Sequence, residues 1–174
     1  MTQELIDLRA SILEGRYEDA LAIVDELEGM SKQAILRNIE SFLARLMIHL
    51  IKNQIEQRLT NSWVASISDS IRQIKKLNFK DNKTSYYINA DEWQPFLEEA
   101  IEAAINPASV EVLNGGLKPD KLSNRVDRIQ LTRIAQKLLA LTYEYSAKDL
   151  PAIVNMNLAE LPGGEDWLGS STES

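Results

Sequence analysis

The segment from residue 32 to 57 constrains the fold most, because its apolar residues recur at the spacing of an α-helix. These residues are Ile35, Ile39, Phe42, Leu43, Leu46, Met47, Leu50, Ile51 and Ile55. Between Phe42 and Ile51 the apolar side chains cover most of the helix circumference, and a helix of this kind is contacted on several sides. We therefore predict an all-α fold, an irregular helical bundle of five or six helices around a long central helix at about 32–57.

The first thirty residues predict a helical hairpin. Apolar residues follow helical spacing over 2–14, and Gly15 tolerates the positive φ that ends a helix. A second helix is predicted over 17–27, with Tyr17 and Leu21 among the apolar residues on one of its faces, and Gly29 is predicted to end it. This pattern is similar to one unit of a tetratricopeptide-type repeat, and a single unit cannot bury its own apolar face.

Three further long helices are predicted along the rest of the chain. They run from about Ser62 to Asn78, from Ala90 or Asp91 to Asn106, and from Asp120 or Ser123 to Tyr145. The first has a buried stripe at helical spacing. That stripe consists of Trp63, Val64, Ile67, Ile71 and Ile74. Residues 79–90 are predicted to form a loop, and the paired glycines at 115–116 favour a turn over a strand because no partner strand is evident.

The predicted organisation is a single helical domain over 1–154, with the hairpin at 1–30 and the main bundle at 31–154. Residues 155–174 are rich in Gly, Ser and acidic residues and are predicted to form a tail. Trp167 and Leu168 are large apolar residues in that tail, which makes them candidates for binding a partner.

Charge is distributed in blocks along a chain whose net charge is −7. Residues 1–30 contain eight acidic and two basic residues, whereas residues 31–90 contain ten basic and four acidic residues. The overall acidity argues against broad, nonspecific binding of nucleic acid. The basic block leaves a local alternative, in which lysines contact phosphates and a tyrosine stacks on a base. Its residues are Lys52, Arg58, Arg72, Lys75, Lys76, Lys80 and Lys83, with Tyr86 and Tyr87.

Few residues are suited to catalysis or metal binding. The chain has no cysteine, which excludes disulfides and thiolate chemistry, and His49 is its only histidine. A typical zinc site is therefore not expected, and no phosphate-binding loop or nucleophile elbow is present. His49 could be a general base, but a lone histidine on a helix more often packs at the edge of the apolar face. We expect no cofactor and no metal.

No targeting or membrane segment is evident. The N-terminus is amphipathic and acidic rather than basic and then apolar, as a secretory signal would be. The most apolar stretch, Phe42 to Ile51, contains Arg45 and His49 and is about half the length that a bilayer requires. We expect a cytoplasmic protein that does not insert into membranes.

The run from Ile39 to Leu77 resembles the bacterial family of domain of unknown function twenty-nine, which is abundant in cyanobacteria. A Glu precedes a Leu-rich helix that carries His-Leu-x-Lys, and a segment beginning Ser-Trp-x-x-Ser-Ile continues to an Arg. The matching positions are Glu40, His49, Leu50, Lys52, Ser62, Trp63, Ser66, Ile67 and Arg72. The resemblance implies an all-helical fold without an assigned activity. It marks His49, Lys52, Trp63 and Arg72 as the candidate site.

These observations predict a non-enzymatic protein-interaction module, an adaptor or regulatory subunit with a protein partner or in a homo-oligomer. Two alternatives remain open. One is a nucleic-acid-associated protein that uses the basic face over 52–83. The other is a small enzyme that uses His49 as a base and Arg72 to hold an anion.

Overall fold

A computed structural model describes residues 2–81 and 84–165, and within these ranges the chain forms seven α-helices and no strand. The helices are α1 (Thr2–Leu13), α2 (Tyr17–Glu56), α3 (Asn61–Asn78), α4 (Gln94–Glu111), α5 (Pro119–Arg125), α6 (Arg128–Glu144) and α7 (Leu150–Leu158). The predicted all-α class is confirmed. The described residues contain seven α-helices, where five or six were predicted. The helices predicted over 17–27 and 32–57 are joined in α2, the helix predicted from about 120 to 145 is divided into α5 and α6, and α7 is an additional helix.

The chain forms two compact units, Met1–Arg37 and Asn38–Ser174, and the boundary falls within α2. In the first unit, α1 ends as predicted before Gly15, whose φ is +74°. The backbone N–H of Arg16 donates to the Ser11 carbonyl at 2.8 Å, which closes the turn. Ser11 and Ala20 are buried in this unit.

Helix α2 is longer than predicted, because it continues without a break through Gly29 and Ser31. The predicted stop at Gly29 is wrong. Gly29 has helical geometry rather than the positive φ of a helix terminus. A glycine inside a helix costs about 1 kcal/mol relative to alanine, and the good helix formers on both sides outweigh that cost.

The core of the second unit includes the second half of α2, where six of the nine predicted apolar positions are buried. Ile39, Leu43, Leu46, Met47, Leu50 and Ile51 are each at most 1 % exposed. Helix α3 packs against α6 and α7, α4 packs against α5 and α6, and α6 packs against α7. Side chains of α2 reach three of these helices by polar contacts: Arg45 to α3, Lys52 to α4 and Gln54 to α6.

Helix α3 begins and ends within one residue of its predicted bounds. Thr60 is its N-cap, and the Thr60 hydroxyl accepts a hydrogen bond from the Trp63 backbone N–H at 3.1 Å. All five residues of the predicted stripe are buried. Amphipathic spacing and a capping residue therefore specify this helix locally.

The loop after α3 is fastened by Asn78, which is 2 % exposed. Its side-chain amide oxygen accepts from the Ile88 backbone N–H at 2.7 Å, and its amide nitrogen donates to the Ile88 carbonyl at 2.8 Å. The Tyr143 hydroxyl donates to the same carbonyl at 2.6 Å and accepts from the Trp93 indole N–H at 2.8 Å. One hydrogen-bond network thus joins α3, the loop at Ile88, the N-terminus of α4 and α6.

Both predicted bounds of α4 are wrong, since the helix begins at Gln94 rather than at Ala90 or Asp91. Helix α4 does not end at Asn106 but continues through Pro107 to Glu111. Proline lacks an N–H and normally disfavours a helix interior. Here the residues that follow it, Ala108 and Ser109, are buried, so packing outweighs the local preference. The paired glycines then lie in and after a short 3₁₀ helix, Val112–Gly115, as a turn rather than a strand.

The single helix predicted from about 120 to 145 is also wrong, because it is divided into α5 and α6 at Val126 and Asp127. Asp127 caps α6, and its carboxylate accepts from the Gln130 backbone N–H at 3.1 Å. Gln54 of α2 holds the break from the other side: its side chain accepts from the Asp127 N–H at 2.9 Å and donates to the Asp127 carbonyl at 3.2 Å. The break is therefore fixed by a contact with a distant helix.

The predicted start of the tail at 155 falls inside α7. Beyond this helix the chain remains packed, since Leu161 is 9 % exposed and Gly163 lies against the backbone of Arg58 and Leu59. The two candidate partner-binding residues of the tail, Trp167 and Leu168, lie outside the described residues.

Candidate functional site

Three of the four candidate site residues lie near the end of α2 and the start of α3. Lys52 is buried, with 8 % of its surface exposed. Its ammonium group lies 4.9 Å from the centre of the Trp63 ring and 3.4 Å from a carboxylate oxygen of Glu111 in α4. A buried ammonium is stable only when it is paired. Here the face of the Trp63 ring and the Glu111 carboxylate both stabilise the charge.

A second cation contacts the same indole ring. The guanidinium carbon of Arg58 lies 4.8 Å from the centre of the Trp63 ring. Arg58 also pairs with the Glu56 carboxylate at 3.1 Å. Trp63 is 6 % exposed and therefore contributes a large apolar surface to the core while it receives both cations. These two cation–π contacts connect the end of α2 to the start of α3.

Asn53 connects the same region to residues near the C-terminal end of the described chain. Its side-chain nitrogen donates to the Arg58 carbonyl at 3.0 Å and to the Pro162 carbonyl at 2.8 Å. Asn53 is 2 % exposed, so both hydrogen bonds are protected from water. The sequence analysis did not identify this residue.

His49 lies one turn before Asn53 and is half-buried. Its Nδ1 is 2.8 Å from the Arg45 carbonyl, a distance at which a protonated Nδ1 donates to that oxygen. Burial lowers the pKa of His49, and the Lys52 and Arg45 cations act in the same direction, whereas the hydrogen bond to the carbonyl and the Glu111 carboxylate oppose them. Burial therefore favours the neutral form of the imidazole.

We expect the protein to lose stability as the pH falls from about 7 to 5, in part through His49. Because the pKa is lower in the folded state, the unfolded state binds the proton first. The stability is complete above the unfolded pKa and is lost as the pH falls toward the folded pKa. The titration of the single histidine by NMR should give a midpoint below that of an unfolded-chain peptide. In the His49→Gln variant, unfolding measured against pH should lose this part of the slope, and an NMR midpoint at or above the peptide value would contradict the prediction.

The fourth candidate residue, Arg72, lies elsewhere, on the exposed side of α3. Its guanidinium pairs with the Asp69 carboxylate at 2.9 Å, and Arg45 pairs with the other oxygen of that carboxylate at 2.9 Å. The hydrogen bond from Arg72 lowers the pKa of Asp69, and the hydrogen bond from Arg45 adds to this effect. The structure therefore does not join Arg72 to Lys52 and Trp63.

Arg72 instead lines a cavity of about 510 Å³ near the end of α3, which we call the basic pocket. Its walls contain four cations, one carboxylate and two apolar residues. They are Arg72, Lys75, Lys76, Lys80, Asp81, Phe79 and Ala147. The predicted basic face over 52–83 is thus divided, since Lys52 and Arg58 are engaged with Trp63 whereas the residues from 72 onward line this pocket. Lys83 lies outside the described residues.

The two tyrosines predicted to assist nucleic-acid binding are engaged within the fold. The Tyr86 ring lies 4.7 Å from the Tyr143 ring in an edge-to-face arrangement and 5.2 Å from the Phe79 ring. The Lys80 ammonium lies 5.3 Å from the centre of the Tyr87 ring. Both rings are half-buried.

Two further features concern the residues that the structure describes. No three potential metal ligands of His, Asp or Glu type lie together in this part of the chain. Each helix within 2–81 and 84–165 is either too short or too polar to cross a bilayer.

Comparison with known families identifies the chain. The model of the family described as "Domain of unknown function DUF29" matches residues 16–121, which is more than half of the sequence. The chain belongs to this family. The DUF29 match begins next to the start of α2 and ends within α5, and it contains all four candidate residues, His49, Lys52, Trp63 and Arg72. No curated protein and no solved structure matches the chain.

Proposed function

We propose that this DUF29 protein is a non-enzymatic interaction module whose N-terminal hairpin binds a partner protein. The observation that carries the proposal is the concentration of exposed large apolar residues near the N-terminus. They are Leu5, Ile6, Ile12, Leu13, Tyr17, Leu21 and Met30, between 48 % and 77 % exposed. Exposed apolar residues that cluster in this way are typical of interaction surfaces, whereas single ones need no explanation.

Helical geometry supports a binding face on α1. Leu5 and Ile12 are seven residues apart and share one side of the helix, and Ile6 and Leu13 share the adjacent side. Together they form a broad apolar face while Leu8 and Ser11 point inward. We call these four residues, with Tyr17 and Leu21 of α2, the hairpin face. A helix from another chain can place its apolar side chains on such a face.

The charge of the hairpin favours one kind of partner. Residues 1–30 have a net charge of −6, and Glu18 and Asp25 flank the exposed residues of α2. A second copy bound through the same face would bring two strongly acidic segments together, which disfavours that dimer. A basic amphipathic helix would combine apolar contact with charge complementarity. We therefore infer a partner that contributes such a helix.

The Leu13→Ser/Leu21→Ser double variant tests this proposal. Both side chains are exposed, at 77 % and 63 %, so the variant should unfold within about 0.5 kcal/mol of the wild type for each substitution. We expect it to lose the partner, because polar side chains remove the apolar contact. The measurement is co-purification of the tagged full chain from its source cells, followed by mass spectrometry and light scattering.

The matched control is Ile129→Ser/Met156→Ser, which removes two apolar residues of similar exposure, 73 % and 66 %, from the second unit. A stoichiometric partner that the control retains and the hairpin variant loses supports the proposal, provided that cross-linking maps its contact to a basic helix. A partner retained equally by both variants, or a wild-type chain that elutes alone as a monomer, contradicts it.

A further inference from the structure

The basic pocket combines an unusual excess of positive charge with an apolar wall. Four cations and the Asp81 carboxylate give the lining a formal charge of +3. The carbonyl end of α3 contributes a partial negative charge of about 0.5, which leaves the site clearly positive. Phe79 is 39 % exposed and Ala147 is exposed beside it.

A second cavity in the same unit lacks this charge excess. The groove of about 590 Å³ between α4 and α6 is also lined by charged residues. There Glu98 and Glu102 balance Arg128 and Arg133, and Arg128 donates to Glu102 at 2.8 Å. That groove is electrically balanced from within, whereas the basic pocket is not.

The lysines of the basic pocket are not neutralised by the protein. Within the described residues, no carboxylate pairs with Lys75, Lys76 or Lys80, although Arg72 does pair with Asp69. The Lys75 ammonium donates to the Thr142 carbonyl at 2.6 Å, and burial lowers the pKa of Lys75. An anion placed in the cavity would supply the missing countercharge to a partly desolvated cation.

The walls also suit an apolar group. Phe79 and Ala147 provide apolar surface, and the aliphatic stems of the lysines that line the cavity can add to it. A volume of about 510 Å³ is that of a small-molecule site rather than of an extended strand groove.

We propose that the basic pocket binds a small amphiphilic organic anion, with its charged group on the lysines and its apolar body against Phe79. This inference is independent of the partner-binding function of the hairpin face. It also differs from the nucleic-acid alternative, since it assigns the positive charge to one compact ligand.

Calorimetric titration of the full chain with sodium decanoate tests the proposal. Decanol, which has the apolar chain without the charge, and inorganic phosphate, which has the charge without the apolar chain, are the comparison probes. We expect saturable one-to-one binding of decanoate that is tighter than that of either probe. The Lys75→Gln/Lys76→Gln variant should bind about tenfold more weakly or worse, which is the effect of losing a charge-assisted hydrogen bond. Lys118→Gln/Lys121→Gln removes the same charge from exposed positions outside the pocket and should leave binding unchanged.

Lys76→Gln alone keeps the test decisive if the double variant unfolds, because Lys76 is exposed. The absence of saturable decanoate binding overturns the proposal. Equal binding of decanol would mean that the lysines do not select an anion, and equal binding of phosphate would mean that the apolar wall contributes nothing. A single-stranded oligonucleotide that binds more tightly than decanoate, and displaces it, would overturn the proposal in favour of a nucleic-acid surface.

Discussion

Replacing Gly163 with alanine is expected to lower the free energy of unfolding by about 2–4 kcal/mol, although the change adds a single methyl group. Gly163 has a φ of +79°, which any residue with a Cβ adopts only with strain. A Cβ placed there would lie 2.7 Å from the Arg58 Cα and 2.7 Å from the Leu59 backbone nitrogen. Both atoms belong to the backbone, so no side-chain rotation can relieve the overlap.

The matched control is the same substitution at Gly29. That residue is exposed within α2, and an added Cβ would meet nothing within 4 Å. Alanine is the better helix former, so Gly29→Ala should raise the free energy of unfolding by about 0.5–1 kcal/mol. Urea unfolding followed by circular dichroism measures both variants. Changes of the same sign for the two glycines would mean that residues 58–59 and 163 do not approach closely in solution.

Replacing Leu43 with alanine is expected to lower the free energy of unfolding by about 2–5 kcal/mol. Leu43 is fully buried in the second half of α2, among neighbours such as Leu46 and Met47 that are also fully buried. The loss combines the transfer of the leucine side chain from the core with the cavity that rigid neighbours leave unfilled. The midpoint of the urea transition should decrease while its slope stays constant.

Leu21→Ala is the control for this prediction, because Leu21 lies on the same helix but is 63 % exposed. Its substitution should change the free energy of unfolding by no more than about 0.5 kcal/mol. If the two leucine variants were equally destabilised, Leu21 would be a core residue, and the hairpin face would not be available to a partner.

The sequence predicts α3 accurately because every signal for that helix is local. A capping residue precedes it, the apolar stripe is regular, and its final turn contains Lys75 and Lys76. The errors occur where distant contacts outweigh local preference. Gly29 resembles a helix stop yet lies inside a helix, and Gly163 resembles a tail residue yet packs against the backbone at Arg58. A glycine has the same intrinsic freedom at both positions, and only the surrounding fold distinguishes them.

Buried polar groups were the least predictable part of the fold. Asn78 was interpreted only as the end of a helix, whereas both ends of its amide group bind the backbone of Ile88. Tyr17 and Leu21 were predicted to share one face of a helix, and both are exposed. Helical periodicity shows which residues share a face, and it does not show whether that face is covered by another part of the chain.

The candidate site was predicted as four residues, and one of them could have been separated from sequence alone. Arg72 follows Trp63 by nine residues in the same helix, and at about 100° per residue this spacing places them on opposite sides. The contact between Lys52 and Trp63 could not be derived in this way, because it joins two helices whose packing is a tertiary property. The family resemblance named both residues without giving a reason for their proximity.

The amide of Asn53 has a consequence for the synthesis of this protein. It connects the turn after α2 to Pro162, which follows 109 positions later in the chain. On the ribosome, the earlier partner of this amide, the Arg58 carbonyl, is available almost at once, whereas the later one emerges only when nearly the whole second unit has been made. Contacts of such sequence separation form slowly, so we expect the apolar side chains of α2 to be incompletely covered while the rest of the second unit is being synthesised. During that interval the nascent chain is most accessible to chaperones and proteases.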